Sequence, residues 1–421
     1  MSRSAARGFD CILGNPPFLN QLESGTALAR QTAAIVAATY GGARKSYTDV
    51  SALFLLLSDR ITRSRGHYSL VQPQSVLAAA DAKAVRDATL EHGALAALWV
   101  SNEHVFAEAT VYTCAITIEK DGPRKRGVRR SHSGAFVPLE PVEIDSGELR
   151  GEETWSHLMA EASGIPSPRL ATSGCVADLA AVTADFRDQY YGLDGFLVED
   201  ASCDAERGGD RFESRFPPIV TTGAIDLAAC HWGSAPMRIL KKKWAAPRVD
   251  RERMEREGTL APWMKARLVP KVLIATQTKV IEVFADQGGR FIPSVPVLSA
   301  VPHDPANVMR LAAALAAPPI AALAMTKYSG AALSADAIKL SAKQAAAMPL
   351  PADRAAWDHA AQLFASAQDA SDDRERYERL CAFGGAACDS YSIPEPARTS
   401  LLEWWRARIG LAVVDEEAVD A

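Results

Sequence analysis

Short apolar segments alternate with helix-like segments between Phe9 and Lys120, and this alternation is the strongest constraint on the fold. Phe9–Leu13 is short and largely apolar, as expected for a buried strand, and Tyr68–Val71 has the same character. Between them, Tyr47–Arg63 has apolar residues at helical spacing, namely Val50, Leu53, Phe54, Leu57 and Ile61. Strands that alternate with helices are typical of an α/β layer with a largely parallel sheet.

The rest of this first region continues the pattern. Ser75–Glu91 is rich in alanine and predicts a helix with Ser75 as its N-cap. Two further strands are predicted at Leu95–Val100 and Val111–Glu119. Residues 1–122 are therefore predicted to form one α/β unit.

A boundary is predicted after this unit. The segment Gly122–Arg130 is polar and cationic, and the stretch that follows it contains proline and glutamate. This composition favours a connection over a core element, so residues 123–168 are predicted to form a linker.

The second region is predicted to contain a different mixture of strands, loops and helices. Residues 169–352 contain short strands at Val272–Thr276 and Val280–Phe284, loops interrupted by proline, and an alanine-rich helix near Val308–Ala316. This mixture predicts an α+β domain.

The C-terminal segment is predicted to be helical. Residues 353–421 contain two amphipathic stretches, Trp357–Phe383 and Ala397–Ile409, before an acidic end. Both stretches have the spacing of helices.

Composition and cysteine usage exclude several classes of protein. No segment approaches the roughly 18 uninterrupted apolar residues of a membrane span, and the N-terminus lacks the apolar stretch of a secretory signal. A cytoplasmic protein is therefore expected. The 7 cysteines are scattered without C-x-x-C spacing, and the 8 histidines include no H-x-x-x-H pair. Neither a disulfide scaffold nor a metal site is predicted.

Asn15-Pro16-Pro17-Phe18 follows the first predicted strand and is the most informative short motif in the chain. Two consecutive prolines restrict φ and remove two N–H donors, so the Asn15 side chain and the Pro16 carbonyl can be held rigidly. Two such acceptors suit methylation of an aromatic amine, because they receive both amine hydrogens and leave the lone pair exposed. Phe18 offers a surface for a stacked base, worth about 1–3 kcal/mol.

The alternative explanation of this motif is a loop in which Asn-Pro-Pro only turns the chain. The strand before the motif and the order of elements after it favour the catalytic interpretation.

The segment FDCILGNPPF, residues 9–18, resembles the catalytic motif of adenine-specific DNA methyltransferases of restriction-modification and phage-defence systems. The likeness continues through GHYSLVQPQSVL and WVSNEHVFAEATVYTCAITIEK. The resemblance implies the C-terminal half of a Rossmann-like class I methyltransferase sheet, in which Asn15 and Pro16 orient the adenine amine. It also implies that Phe18 and Phe106 hold the adenine ring; the alternative for Phe106 is an ordinary core position.

The second region resembles the target-recognition domain of large fused restriction-methylation enzymes. The segments that support this are looser: PPIVTTGAIDLAACHWG, KVLIATQTKVIEVFAD and SGAALSADAIKLSAKQAAAMPLP. The resemblance implies a partial methyltransferase sheet, followed by a mixed α+β target-recognition domain and C-terminal helices.

Arg238–Lys271 is strongly basic within an acidic chain. It contains eleven Lys/Arg and four Asp/Glu, a local charge of 11 − 4 = +7, whereas the whole chain has −5. Such a patch can neutralise several phosphates, and the predicted DNA contacts are Lys241, Lys242, Lys243 and Arg248. The alternative, a solvated helix with alternating Glu and Arg, explains Arg251–Glu257 but not the three lysines.

The motif that normally holds the methyl donor is not found. The resemblance implies S-adenosylmethionine as cofactor, held by a Gly-rich turn and an acidic residue that both precede N-P-P-F. Only fourteen residues precede Asn15, and no two glycines have G-x-G spacing. A second subunit that supplies the cofactor-binding half is therefore expected, and a remnant of an interrupted gene is the alternative.

Three functions are compatible with the sequence. The first is methylation of the adenine exocyclic amine in double-stranded DNA, with the base flipped at a cost of a few kcal/mol. The second is a catalytically inactive DNA-binding specificity subunit. The third is a methyltransferase for RNA or for a protein glutamine, which uses a similar N-P-P-[FY] turn; the large recognition-like region disfavours it.

Overall fold

The computed structural model of the chain describes residues 8–18, 35, 38–40, 49–106, 111–185, 187–206, 212–258, 260–328 and 337–410. The chain divides into two units. Met1–Ile165 and Met325–Ala337 form the first, and Pro166–Ala324 and Ile338–Ala421 form the second.

A six-stranded mixed sheet is the centre of the first unit. Its strands are β1 (Phe9–Gly14), β2 (Thr62–Pro73), β3 (Gly93–Val100), β4 (Thr113–Lys120), β5 (Lys125–His132) and β6 (Val137–Asp145). They lie in the order β1-β2-β4-β3-β5-β6. The β1–β2 and β3–β5 pairs are parallel, whereas the β2–β4, β3–β4 and β5–β6 pairs are antiparallel.

This topology confirms the α/β class and corrects the expected strand directions. The sheet is mixed rather than largely parallel, because β4 runs antiparallel to both of its neighbours, β2 and β3.

In the described part of the unit, the helices with defined ends are α1 (Val50–Ile61), α2 (Ser75–Ala78), α3 (Lys83–His92) and α4 (Ser146–Leu149). The Asp49 side chain caps α1 by accepting a hydrogen bond from the Ser51 N–H. The buried residues of α1 include Leu53 and Leu55, whereas Leu57 and Ile61, which belong to the predicted apolar face, are 39% and 40% exposed. Apolar residues occur on several sides of α1. Their spacing therefore predicts a helix but does not indicate which side of the helix is buried.

The helix predicted over Ser75–Glu91 is interrupted. Ala79 has an extended backbone, which separates α2 from a 3₁₀ turn at Ala80–Ala82 and from α3. Ser75 is not the N-cap as predicted; Gln74 occupies that position and its side chain makes no capping hydrogen bond.

β1 is more exposed than the buried strand that was predicted. Phe9 is 61% exposed and Leu13 is 78% exposed, while Ile12 packs against the core of the unit. The correction follows from position, since β1 is the terminal strand of the described sheet and pairs only with β2 there.

Residues 123–168 were predicted to form a linker, but residues 123–165 belong to the first unit and 166–168 to the second. β5 pairs with β3, and Val128 at its centre is completely buried. Trp155 is 1% exposed, and the Arg86 guanidinium lies 5.9 Å from the centre of its ring. The linker prediction is wrong because β5 buries Val128 and the charged Arg130 between exposed residues, a pattern that composition alone does not distinguish.

The second unit contains many short strands: β7 (Thr172–Cys175), β8 (Ala180–Ala184), β9 (Leu197–Glu199), β10 (Ile219–Val220), β11 (Ile225–Asp226), β12 (Ala229–Cys230), β13 (Met237–Ile239), β14 (Lys242–Trp244), β15 (Pro247–Val249), β16 (Lys271–Ile274), β17 (Val283–Asp286), β18 (Ile292–Pro293), β19 (Leu298–Pro302) and β20 (Pro349–Pro351). Four of them form an antiparallel sheet in the order β17-β16-β19-β8. Five further pairs are two-stranded: β7–β20, β9–β15, β10–β18, β11–β12 and β13–β14.

The helices that follow α4 are α5 (Val176–Leu179), α6 (Arg187–Tyr191), α7 (Phe212–Arg215), α8 (Arg251–Glu257), α9 (Ala261–Arg267), α10 (Val308–Ala316), α11 (Pro318–Tyr328), α12 (Ala342–Ala346), α13 (Arg354–Gln368), α14 (Asp373–Ser390) and α15 (Ala397–Ile409). The helix predicted near Val308–Ala316 is confirmed. The stretch predicted as Trp357–Phe383 is two helices, α13 and α14, and Asp372 caps the second by accepting from the Glu375 N–H.

Membrane-spanning helices were considered for the described residues. No single helix there is both long and apolar enough to cross a membrane, although Pro305–Ala316 and Pro318–Tyr328, bent by 58°, together meet the criteria of length and composition.

The burial of Trp155 provides a test of the revised boundary. Trp155→Ala should lower the free energy of unfolding by about 3–5 kcal/mol, because a large buried side chain is removed. Denaturant unfolding followed by circular dichroism measures the change. Phe136→Ala is the control, since Phe136 is 65% exposed and its ring contact with Trp99, 5.6 Å between centres, is worth only about 0.5–1.5 kcal/mol. If both substitutions lowered the free energy of unfolding by the same small amount, the prediction that residues 123–168 form a linker would be supported instead.

Candidate active site

The Asn15–Phe18 motif lies at the carboxyl end of β1. Gly14, the last residue of β1, pairs with Leu70 of β2 in parallel register. A Cβ on Gly14 would lie 2.9 Å from Leu70 Cδ2, so a larger residue at position 14 would displace the Leu70 side chain. The motif is thereby placed at the carboxyl edge of parallel strands, where open α/β sheets bind ligands.

The residues of the motif differ in exposure. Asn15 is exposed, Pro16 is buried and Phe18 is half-buried. The Asn15 side chain makes no hydrogen bond to another residue in the parts of the chain that the structure describes. Its amide oxygen is therefore available to a ligand, while the buried proline fixes the backbone beside it.

Phe18 and Phe106 meet at this edge. Their ring centres are 6.1 Å apart, and the ring planes are inclined by 76°, an edge-to-face contact. Such contacts between aromatic rings are favourable. The structure therefore brings together the two aromatic residues predicted from the sequence to contact the base, although they lie far apart in the chain.

The loop that contains Phe106 is fixed by residues that the sequence did not identify. Gln74 Nε2 donates to the carbonyls of Ser101, at 2.7 Å, and Thr113, at 3.3 Å. The Ser101 hydroxyl donates to the Glu103 carbonyl at 2.6 Å. Gln74 directly follows β2 and Ser101 directly follows β3. This position at the end of a strand is the sequence feature from which their role could have been predicted.

The described residues do not fit a binding site for the methyl donor. Gln74 alone separates β2 from α2, and neither it nor the adjoining Pro73 and Ser75 is glycine. A backbone cradle for a nucleoside and its carboxylate needs glycine for close approach, and none of the described strand-to-helix turns at this edge supplies it. No step of the chemistry is therefore assigned to a cofactor held by these residues.

In the described ranges, no group of three or more His, Cys, Asp or Glu side chains is placed to hold a metal ion.

The three predicted DNA-contacting lysines lie on an exposed β-hairpin. β13 and β14 pair in an antiparallel manner, and Leu240 and Lys241 form the two-residue turn with φ of 51° and 65°. The Leu240 N–H donates to the Tyr190 hydroxyl at 2.9 Å, which supports this left-handed turn. Lys241, Lys242 and Lys243 are all exposed and form no ion pair with any described residue.

Most other cations of the basic run are paired within the second unit. Helix α8 has two i,i+4 ion pairs, Arg251–Glu255 at 2.8 Å and Arg253–Glu257 at 3.0 Å. The predicted alternative, a solvated helix of alternating charge, is thus confirmed for α8. Arg267 binds Asp185 at 2.6 Å, and the buried Lys271 binds Asp286 at 2.5 Å. The unpaired charge is therefore concentrated at the hairpin.

The environment of Arg248 contradicts its predicted role as a DNA contact. Its side chain is 5% exposed and its guanidinium binds Asp200 at 2.5 Å and Glu213 at 3.1 Å. The rings of Phe212 and Trp232 lie 4.8 Å and 4.6 Å from it. The DNA-contact prediction for Arg248 is wrong because the side chain is enclosed by carboxylates and aromatic rings, so it cannot reach a phosphate.

With this geometry established, the N-terminal region was compared with known families. Residues 2–106 match the family model of the Eco57I restriction-modification methylase. The predicted resemblance to restriction-modification methylases is confirmed. The matched span contains Asn15–Phe18 and ends at Phe106, so it includes both parts of the candidate methylase site.

The fold is similar to that of a solved restriction-modification enzyme. The structure of the type IIL restriction-modification enzyme MmeI in complex with DNA is 13% identical, with a TM-score of 0.55 over 95% of this chain and 57% of that one. The type IIG restriction endonuclease BpuSI is 12% identical, with a TM-score of 0.36 over 95% and 54%. This chain thus spans little more than half the length of those structures. No curated protein matches it.

Arg248 provides a test that separates stability from DNA binding. Arg248→Ala should lower the free energy of unfolding by about 3 kcal/mol, the lower end for breaking a buried ion pair, since Glu213 remains partly solvated. Lys241→Ala should leave stability nearly unchanged. Denaturant unfolding of both variants measures the difference. A stable Arg248→Ala protein with weakened DNA binding would restore the original prediction.

Proposed function

We propose that this chain binds double-stranded DNA and presents an adenine amine for methylation within a restriction-modification system. The observation that supports this proposal best is the contact of Phe18 with Phe106 beside Asn15 and Pro16, at the carboxyl edge of β1. Two aromatic rings and two hydrogen-bond acceptors at one place are what an extruded adenine requires.

The proposed role of Asn15 and Pro16 is to orient the amine. The adenine amine is conjugated with its ring, so its lone pair is a weak nucleophile. When the Asn15 amide oxygen and the Pro16 carbonyl each accept one amine hydrogen, the nitrogen can become pyramidal and direct its lone pair outwards. Fixed acceptors of this kind stabilise the charge that develops on nitrogen without reorganisation.

Phe18 and Phe106 are proposed to hold the flipped base. Their rings now contact each other, so a base that enters between them must displace one ring. The lost contact is worth about 0.5–1.5 kcal/mol, and stacking of the base returns about 1–3 kcal/mol. The exchange is therefore favourable and offsets part of the cost of flipping.

The methyl group is proposed to come from S-adenosylmethionine bound mainly by polypeptide outside the described residues. The support is the absence of a suitable turn among the described residues and the exposure of β1. Strand edges and apolar side chains of this kind are usually covered by another element. Our proposal is that a second subunit supplies this element and the cofactor-binding residues.

Asn15 is the most direct test of the proposed chemistry. Asn15→Ala should reduce adenine methylation about 10²–10³-fold, because one preorganised contact at the reacting nitrogen is lost. Methylation is measured by sequencing of N6-methyladenine in cells that express the complete system. Duplex affinity should change little, since phosphate contacts dominate it.

Two variants accompany this test. Asn15→Asp keeps an acceptor oxygen and should retain more activity than Asn15→Ala. Asn307→Ala changes an asparagine at the start of α10 and should methylate as the wild type does. Near wild-type methylation by Asn15→Ala would reject the proposed chemistry and favour an inactive specificity subunit.

The hairpin lysines test the proposed DNA surface. Replacing Lys241, Lys242 and Lys243 by alanine should weaken binding to all duplexes similarly and flatten the salt dependence by up to about 0.9 per lost phosphate contact. Fluorescence anisotropy at several salt concentrations measures both effects.

The matched control removes three cations from α8. The change Arg251→Ala, Arg253→Ala and Arg256→Ala alters the net charge equally, but these side chains already have glutamate partners. This triple variant should change the salt dependence of DNA binding less than the triple lysine variant does. Equal slopes for the two triple variants would mean that only net charge matters.

A further inference from the structure

A groove in the second unit lies beside the lysine hairpin. It has a volume of about 350 Å³ and is lined by Tyr190, Tyr191, Thr221, Thr222, Arg238 and Pro296. We call it the Arg238 groove. Tyr191 is 55% exposed at this groove, so aromatic, hydroxyl and guanidinium groups are all presented to solvent together.

Arg238 is an unusual member of the basic run. It lies directly opposite Lys243 in the β13–β14 pair, and like charges in such positions destabilise a hairpin. Arg238 is exposed and has no ion-pair partner in the described ranges, whereas Arg248, Arg251 and Arg253 all have one. An unpaired arginine beside a lysine indicates a partner that is rich in hydrogen-bond acceptors.

The hairpin has the dimensions and support needed to enter DNA. The major groove of B-form DNA admits a two-stranded β-ribbon, and β13 with β14 is a ribbon of three residues per strand closed by a two-residue turn. Tyr190 holds this turn through the Leu240 N–H, so the strand that contains Arg238 is fixed to the rest of the unit.

The chemistry of arginine selects one base. The guanidinium has only donors, arranged as a planar fork. Guanine is the base whose major-groove edge presents two acceptors, O6 and N7, and no donor. We propose that Arg238 contacts guanine in the major groove and so determines one position of the recognised sequence. This inference rests on the proposed DNA binding of the hairpin.

A phosphate contact by Arg238 is the competing assignment. The residues that line the groove include one cation, Arg238, together with hydroxyls and aromatic rings that suit base edges. The hairpin lysines at the turn and on β14 supply the phosphate contacts in our proposal. The two assignments differ in what loss of Arg238 does to sequence preference.

The first experiment selects duplexes from a randomised pool with the full chain. Wild-type protein should enrich a motif that includes guanine at one position. Arg238→Ala should lose the preference at that position by about tenfold or more, with the other positions retained. Arg238→Lys keeps the charge but not the planar fork, so it should weaken the guanine preference by less than Arg238→Ala does.

The control is Arg374→Ala. Arg374 is an exposed arginine of α14 with its side chain 87% exposed, outside the Arg238 groove. This variant should select the wild-type motif.

The outcomes separate this inference from the proposed function. An unchanged motif with Arg238→Ala, or a uniform loss of affinity with a flatter salt slope, overturns the base contact and leaves DNA binding intact. Wild-type binding without any preference also overturns it. If the wild-type chain binds no duplex, both the inference and the proposed DNA-binding function fail.

A second experiment changes the DNA and therefore does not depend on the folding of variants. Replacing the selected guanine by 7-deazaguanine removes the N7 acceptor. Wild-type affinity should fall about tenfold, the value of one hydrogen bond to a charged group. Where Arg238→Ala is folded, it should bind both duplexes equally. Equal affinity of the wild-type chain for the two duplexes overturns the inference.

Discussion

The close parallel pairing of β1 with β2 determines where every residue of the candidate site lies. Gly14, the last residue of β1, pairs with Leu70 of β2, and the absence of a side chain at Gly14 leaves the Leu70 side chain in place. The register then ends β1 at the carboxyl edge of the sheet. Asn15 and the prolines follow at once, so their position depends on this one contact between strands.

Hydrogen bonds between the ends of β2, β3 and β4 hold the second part of the candidate site at the same edge of the sheet. Gln74 follows β2 and binds carbonyls of Ser101 and Thr113, which belong to the ends of β3 and β4. The loop with Phe106 begins at Ser101. The contact of Phe106 with Phe18 thus depends on a chain of interactions that passes across four strands of the sheet.

Local patterns predicted the elements of the first unit well, and non-local contacts explain the errors. Helix α1 and strands β2 to β4 follow from periodicity, and the N-P-P-F motif was placed correctly after a strand. Burial of β1 was overestimated, because a sequence does not state which strand is terminal in a sheet. The charged strand β5 was missed, since its burial arises from pairing with β3.

Non-local contacts also explain why the exposure of charged residues was predicted only in part. The density of Lys and Arg predicted an exposed basic patch, and this is correct for the hairpin lysines. Arg248 belongs to the same run, yet Asp200 and Glu213, which are distant in the sequence, enclose it. Burial alone raises the pKa of Glu213, but the Arg248 guanidinium lowers it overall. Below the ordinary pKa of glutamate this pair therefore contributes progressively less to folding.

The hairpin formed by β13 and β14 also affects how such a protein can diversify. Its eight residues, Met237–Trp244, are contiguous and close their own ladder of hydrogen bonds. A few substitutions there can alter the surface offered to a partner without changing the β1–β2 register. The lysine hairpin and the Asn15–Phe18 motif are thus encoded in separate stretches of the gene, so selection can act on one while the other remains constant.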